Sequence, residues 1–301
     1  MRRLLLVANP AASGFTASLH RDVAEILERE FHITAVWPDG PARARTEAAA
    51  AAAEGFDVVV AMGGDGVAHE VANAIAGTST ALGIIPAGTS NVLGRIAGIP
   101  TRPRAAAEAL VRATGTHRLP TLALREGTGT MRHHVATFAA GIGFDAEVIQ
   151  ESERRPLAKV GFGALHYARS AAKVALTGFR ERHPTLRVTD GDRAADAVAV
   201  LFQVHERFTF LGRISLSLSS GPKPIAAVVT RVTTPRLLNV VARAAIRGDV
   251  GKVSGVVVWE GFDRIEVTAE PASLVEADGE LLGTAAAVVA APGDRELLIV
   301  A

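Results

Sequence analysis

Asp65 stands between Gly64 and Gly66 in DVVVAMGGDGVAHEV, residues 57–71, where an apolar run ends in glycines and passes into a helical pattern. Gly63, Gly64 and Gly66 at such a strand-to-helix turn let backbone N–H groups approach a phosphate with no Cβ in the way. The helix amino terminus adds partial positive charge, so the pattern is that of a phosphate cradle. A carboxylate inside the cradle repels bare phosphate, which suits Asp65 to Mg2+ or to a ligand hydroxyl. The plainer alternative is a cap on its own helix through Gly66 and Val67. A second strand and glycine turn follows in ALGIIPAGTSNVLGR, with Gly88, Thr89 and Asn91 in the turn. Two adjacent parallel strands that end this way set their loops side by side at the carboxyl edge of a sheet, where ligands of α/β proteins bind.

The elements that must position these loops are legible over residues 1–120. LLLVA, ITAVW and DVVVAM alternate with the helical patterns SLHRDVAEILEREF, RTEAAAAAAEG and HEVANAIAG. That alternation predicts βαβ units and a mostly parallel sheet, and strands apolar throughout are expected when helices cover both faces. Ser18 or Thr16 is placed to cap the first helix, and the alanines of residues 48–53 read as ordinary helix. Over residues 121–301 the pattern changes to closely spaced runs such as AVAVLFQV, RISLSLSS and GVVVWEG, punctuated by Gly, Asp and Pro. These predict a second, mainly antiparallel β-sandwich domain, with the last strand a candidate to return to the first. One interruption, residues 146–179, has helical spacing and carries Arg154, Arg155, Lys159, Arg169 and Lys173, read as a solvated face.

Composition excludes several functions. With 301 residues, 49% of them hydrophobic, the chain has enough apolar side chain for two cores. A net charge of +1 and one tyrosine and two tryptophans offer neither a basic stripe nor a stacking platform, so nucleic acid is not an expected partner. Cysteine is absent, which removes thiol catalysis and disulfides and suits a cytoplasmic location. The opening MRRLLLVANP reads as a first strand rather than a signal peptide, and no run reaches the ~20 apolar residues that span a bilayer. Neither His69-Glu70 nor His205-Glu206 continues to H-E-x-x-H, Gly251-Lys252 is followed by Val253 rather than a Walker hydroxyl, and GIGFDA lacks a third dinucleotide glycine.

The pairing of GGDG with P-x-G-T-x-N resembles the diacylglycerol kinase catalytic domain family, which also holds sphingosine and ceramide kinases. Asn9-Pro10-Ala11-Ala12-Ser13-Gly14 resembles that family's first nucleotide loop with one residue more. AAGIGFDAEV matches its G-x-G-x-D segment at Gly141, Gly143 and Asp145, and LVEADGELLG matches its D-G-E element at Asp278, Gly279 and Glu280. The resemblance implies an ATP-dependent, Mg2+-requiring lipid kinase with nucleotide on the first domain and a lipid hydroxyl as acceptor. Asn9, Pro10, Ser13, Gly14, Gly63, Gly64, Asp65, Gly66, Glu70, Gly88, Thr89 and Asn91 would then serve the nucleotide. Glu280 would be the general base, with Asp65, Asp278 and Asp145 as catalytic partners and Asp65 and Asp278 as candidate ligands of the catalytic Mg2+. This set supplies what phosphoryl transfer asks of a protein: position an alcohol, neutralise phosphate charge and accept a proton late. In isolation, Asp278-Gly279-Glu280 reads as an exposed hairpin turn rather than a catalytic element. Peripheral contact with a membrane is expected, and an exposed edge strand leaves a homodimer open.

Departures from the family pattern sit at Val67 and His69, which replace a hydroxyl and an amide, at Trp37 or Pro38 in place of a Thr, and at Val92 in place of Asp. Ser219-Ser220-Gly221-Pro222 stands where some members carry an acidic turn with a structural Mg2+, so that ion is not expected. A catalytically weakened lipid- or nucleotide-binding homologue, and an NAD kinase, are the competing readings. Phe208, Phe210 and Leu211 between Arg207 and Arg213 read as a strand and turn of the core or as a membrane-facing lip.

Overall fold

The computed structural model describes residues 1–126, 133–153, 183–231 and 234–300. The basic positions Arg154, Arg155, Lys159, Arg169 and Lys173 lie outside the described residues. The chain divides into two compact units, Met1–Thr121 with Asp294–Ala301, and Leu122–Gly293.

In the first unit strands and helices alternate as β1 (Arg2–Ala8), α1 (Ala17–Leu27), β2 (Phe31–Val36), α2 (Pro41–Ala53), β3 (Val58–Gly63), α3 (Asp65–Ile75), β4 (Ala81–Pro86), α4 (Val92–Ile96), α5 (Pro103–Arg112) and β5 (Thr116–Leu119). The sheet runs β2-β1-β3-β4, then the chain's last strand at Leu297–Val300, then β5. Every pair is parallel except β5 with the last strand. β3 and β4 are buried along their whole length because α-helices cover the sheet, which is why their sequences are unbroken apolar runs. Thr16, rather than Ser18, caps α1 by accepting the Leu19 N–H at 3.1 Å. The alanines of α2 turn Ala44, Ala48 and Ala51 inward, where a small side chain lets the helix lie close.

The second unit contains β6 (Leu122–Glu126), β7 (His134–Ala136), β8 (Ala139–Gly143), α6 (Phe144–Glu153), β9 (Leu186–Thr189), β10 (Ala194–Ala197), β11 (Ala199–Gln203), β12 (Thr209–Leu211), β13 (Ile214–Leu216), β14 (Ile225–Val229), α7 (Thr234–Ile246), β15 (Val256–Glu260), β16 (Ile265–Ala277) and β17 (Glu280–Pro292); the last strand of the first unit is β18. One antiparallel sheet runs β15-β14-β11-β8-β16-β17-β6-β7, with β9 on β16 and β10 on β9. The sandwich expected from the sequence is thus built from a single bent sheet. β16 pairs with β8 near Val275 and with β9 near Val267, and its ladder with β17 shifts register between Thr268 and Ser273 and again after Val275. Such irregularities bend a long strand so that both ends face one core, here Leu122, Phe202, Val228, Val267, Val275 and Val288. Among the described residues no helix is long and apolar enough to cross a membrane.

Candidate functional site

Three loops of the first unit meet at the carboxyl ends of β1, β3 and β4. Asn9 donates its N–H to Met62 O at 2.9 Å, and its side-chain Oδ1 accepts from Ala11 N at 2.9 Å, which folds the loop back on itself. Gly14 N–H then reaches Ala87 O at 2.8 Å, and Ser13 and Thr89 share a hydroxyl hydrogen bond at 3.1 Å. Gly63 O accepts from both Ala87 N (2.8 Å) and Gly88 N (3.0 Å). The β4 loop closes on itself through Asn91, whose Oδ1 accepts from Gly88 N at 3.0 Å while its Nδ2 donates to Gly88 O at 2.7 Å. Asn91 takes left-handed φ 46°, which a short amide side chain tolerates.

The glycines here are steric requirements. A Cβ on Gly88 would overlap the Gly64 Cα and stand 3.0 Å from Gly64 N, and one on Gly63 would meet a Val67 methyl at 2.5 Å. Backbone therefore lies against backbone at Gly64 and Gly88. Gly64 has no side chain to cap α3, so the first-turn N–H groups of Asp65, Gly66 and Val67 open this eleven-residue helix at the sheet edge, an arrangement suited to an anion.

Asp65 accepts the Leu93 N–H at 3.1 Å through Oδ1. It secures the start of α4, a neighbour in space, rather than capping only its own helix. Asn9, Pro10, Ser13, Gly14, Gly63, Gly64, Asp65, Gly66, Gly88, Thr89 and Asn91 all belong to this loop cluster. Glu70 does not: it sits farther along α3, turned to α2, in an ion pair with Arg45 at 2.6 Å. The departures at Val67 and His69 are buried, Val67 against Gly63 and His69 with its carbonyl accepting from Asn73 at 3.0 Å.

An aromatic row borders the cluster. Phe15 follows Gly14, His20 lies 6.1 Å from it between ring centroids, and Trp37 lies 5.0 Å beyond His20. Burial lowers the His20 pKa from its ordinary 6.5. Trp37, at the carboxyl end of β2, is 55% exposed, so its indole offers an open face. The sequence marks this row only by a tryptophan just after a parallel strand, since the helix that brings His20 over it is a tertiary matter.

In the second unit Asp278 and Gly279 form the two-residue turn between β16 and β17, with φ 56° and 84°, as a twisted hairpin requires. Asp278 is 4% exposed and acts across the chain. Its Oδ1 accepts from Thr137 N (3.0 Å), Phe138 N (2.9 Å) and Ala139 N (3.2 Å), and its Oδ2 from Thr137 N (2.8 Å) and Thr137 Oγ1 (2.9 Å). Both oxygens accept from the turn before β8, so Asp278 holds that turn in place. His205 Nε2 donates to the carbonyl of the same Thr137 at 2.8 Å. Burial lowers the His205 pKa from 6.5, opposed by that hydrogen bond and by the charges of Asp278 and Glu206.

Glu280 opens β17 opposite Ala277, half-buried at the tip of the hairpin. Asp145 lies in the first turn of α6. The β8–β16 register sets Ala140 level with Ala277 and Ile142 level with Val275, so Asp145 follows the end of β8 remote from Glu280. Among the described residues no three His, Asp or Glu gather as a metal site. In the Ser219 turn, Lys223 Nζ donates to Gly221 O at 2.6 Å and pairs with Glu206 at 3.4 Å, and Ser219 Oγ contacts the Glu260 carboxylate.

Residues 3–119 match the family model described as the diacylglycerol kinase catalytic domain. A diacylglycerol kinase of Mycobacterium tuberculosis H37Rv is 45% identical over 105 residues, covering 34% of this chain and 31% of that protein. A probable lipid kinase YegS-like of Pseudomonas aeruginosa UCBPP-PA14 is 50% identical over 80 residues, 26% of either chain. Each match thus spans less than a third of the relative's length. The crystal structure of a putative diacylglycerol kinase from Bacillus anthracis str. Sterne superposes with a TM-score of 0.75 at 18% identity, over 99% of this chain and 95% of that one, which is a likeness of fold.

Proposed function

Because residues 3–119 match the family model of the diacylglycerol kinase catalytic domain, we propose that this chain transfers the γ-phosphate of ATP to a hydroxyl of diacylglycerol or a related membrane lipid. The observation that carries the reading is the close packing of Gly64 on Gly88, which brings the β4 loop to the start of α3, a helix with no side-chain cap whose first-turn N–H groups suit phosphate oxygens. The loop of Asn9 to Gly14 and the hydroxyls of Ser13 and Thr89 flank that position, and the Trp37 face suits the base.

Magnesium would arrive with the nucleotide, since Mg2+ is commonly held by one or two carboxylates together with substrate phosphates. Asp65 is the carboxylate placed to share it, and the ion would neutralise charge on the transferring phosphoryl group. Glu280 takes the proton of the acceptor hydroxyl as its oxygen bonds to the γ-phosphorus. The bond from that phosphorus to the β–γ bridging oxygen breaks, releasing ADP, with Asp278 keeping the hairpin in shape beneath Glu280. Cytoplasmic location with peripheral membrane contact accords with a lipid met from the water side.

The test is transfer of labelled γ-phosphate from Mg·ATP to a panel of micellar lipids by the wild type, Asp65→Ala and Glu280→Ala. A labelled lipid, lost in both variants, supports the reading and names the acceptor. Saturable nucleotide or lipid binding with no transfer anywhere on the panel would instead make the chain a binding homologue, in line with the methyl of Val67 beside Gly63.

A further inference from the structure

α7 departs from the pattern of a surface helix. Its inner side packs Val240 and Ala244 on the cluster of Leu218, Ile225, Val250 and Val256, so its outer side should be polar. Instead Val241 and Ala242 are exposed, and Ile246 in the last turn is 79% exposed. The β12–β13 hairpin extends this surface: Ser217 N–H donates to Ala244 O at 3.0 Å, setting the end of β13 against the last turn of α7. Leu216 packs into the same cluster. Ile214, two residues earlier and so on the same face of the strand, continues past the helix at 53% exposure.

The charges around this apolar surface have one sign to spare. Arg207, Arg213 and Arg247 are exposed, and among the described residues none of the three forms an ion pair. The acidic groups nearby are already engaged, Asp249 with Arg243 (3.1 Å) and Lys252 (3.6 Å), and Glu206 with Lys223 (3.4 Å). Exposed isoleucine and valine with unmatched guanidinium groups beside them are complementary to a bilayer that carries anionic headgroups: the side chains enter the interface and the arginines meet phosphates.

We propose that this face of the second unit, Ile214, Val241 and Ile246 with Arg207, Arg213 and Arg247, docks on an anionic lipid bilayer. The proposal rests on the lipid-acceptor reading for its choice of a bilayer as partner, but vesicle binding is read with no turnover, so either idea can fail alone.

The experiment is flotation of the full chain with vesicles of phosphatidylcholine alone and of phosphatidylcholine mixed with phosphatidylglycerol, at low and high salt. The wild type floats with the anionic vesicles, less at high salt. Arg213→Ala and Arg247→Ala each lower that binding about five-fold. Ile214→Asp with Ile246→Asp lowers it by about a hundred-fold or more, roughly the sum of two lost apolar insertions. Val257→Asp, at an exposed valine of β15, leaves it unchanged and controls for added charge. Equal flotation of the isoleucine variant and the wild type, or no flotation of the wild type with any vesicle, overturns the proposal. A wild-type dimer that the isoleucine changes dissociate, with vesicle binding unaltered, overturns it too and gives the face to a second copy of the chain.

Discussion

As sequence, the glycine loops of the first unit and the Asp-Gly turn of the second unit are alike, for each sets an aspartate beside glycine after an apolar strand. Their physics is opposite. In the first, the absence of side chains makes the site: Gly64 and Gly88 touch through their backbones, and Asp65 lends one carboxylate oxygen to Leu93. In the other, a side chain makes the backbone: the Asp278 carboxylate gathers the N–H groups of Thr137, Phe138 and Ala139 while almost fully buried. A carboxylate next to glycine thus reaches the start of a neighbouring helix in one unit and braces, as a strut, a turn 141 positions away in the other.

The contrast breaks first at Asp278. Asp278→Ala leaves buried donors without an acceptor and should destabilise the protein by about 3 kcal/mol or more, measured as a drop in the urea unfolding free energy. Asp278→Asn, which exchanges one acceptor oxygen for a donor, should fall between. If Asp278→Asn keeps full stability yet loses phosphate transfer, the strut interpretation is wrong and the carboxylate serves the chemistry directly.

Gly88→Ala is next. The added Cβ forces Gly64 away, and overpacking of this kind costs about 1–3 kcal/mol. Nucleotide binding should be lost by far more than that stability change explains, as titration calorimetry with ATP would record. Unaltered binding would show that the junction does not hold phosphate.

Trp37→Ala removes the open indole and should weaken ATP by about 1–3 kcal/mol, the range for base stacking, with tripolyphosphate binding unchanged. Wild-type fluorescence provides another readout, because the other tryptophan, Trp259, is buried in the core of the second unit. Quenching by ATP that persists in the Trp37→Ala variant would place the base elsewhere.

The smallest effect expected is that of pH on the strut. Burial holds the folded His205 below its ordinary 6.5, so the unfolded chain takes up the proton first as pH falls. Its contribution to stability is full above about 6.5 and is lost as pH drops through the folded value. The wild-type thermal midpoint should therefore fall on acidification through this window, and His205→Gln should flatten that part of the curve. Identical pH dependence in both proteins would remove His205 from the account.

The loop cluster was legible because local chemistry declares it. Glycine at a strand end has few reasons to persist other than close approach, and buried parallel strands show as unbroken apolar runs. Glu70 was not legible as a partner of Arg45, because the approach of α2 to α3 depends on alanine packing that no motif encodes. The single bent sheet was not legible either, since closely spaced short runs describe two stacked sheets equally well. Only the pairing of β16 with both β8 and β9 separates the two arrangements.

What the residues determined alone was the alternation of strands and helices from β1 to β4 and the turn at Asp278, each set by hydrophobic pattern or by contacts within a few residues. Helix α7, Thr234–Ile246, by contrast interrupts the second unit where the sequence reads as strands only. Tertiary structure decided which carboxylates are spoken for. Asp65 meets Leu93, 28 positions away, and Asp278 meets Thr137, 141 positions away. Hydrogen bonds over such separations depend on how sheets and helices pack, and burial then fixes how each charge is used.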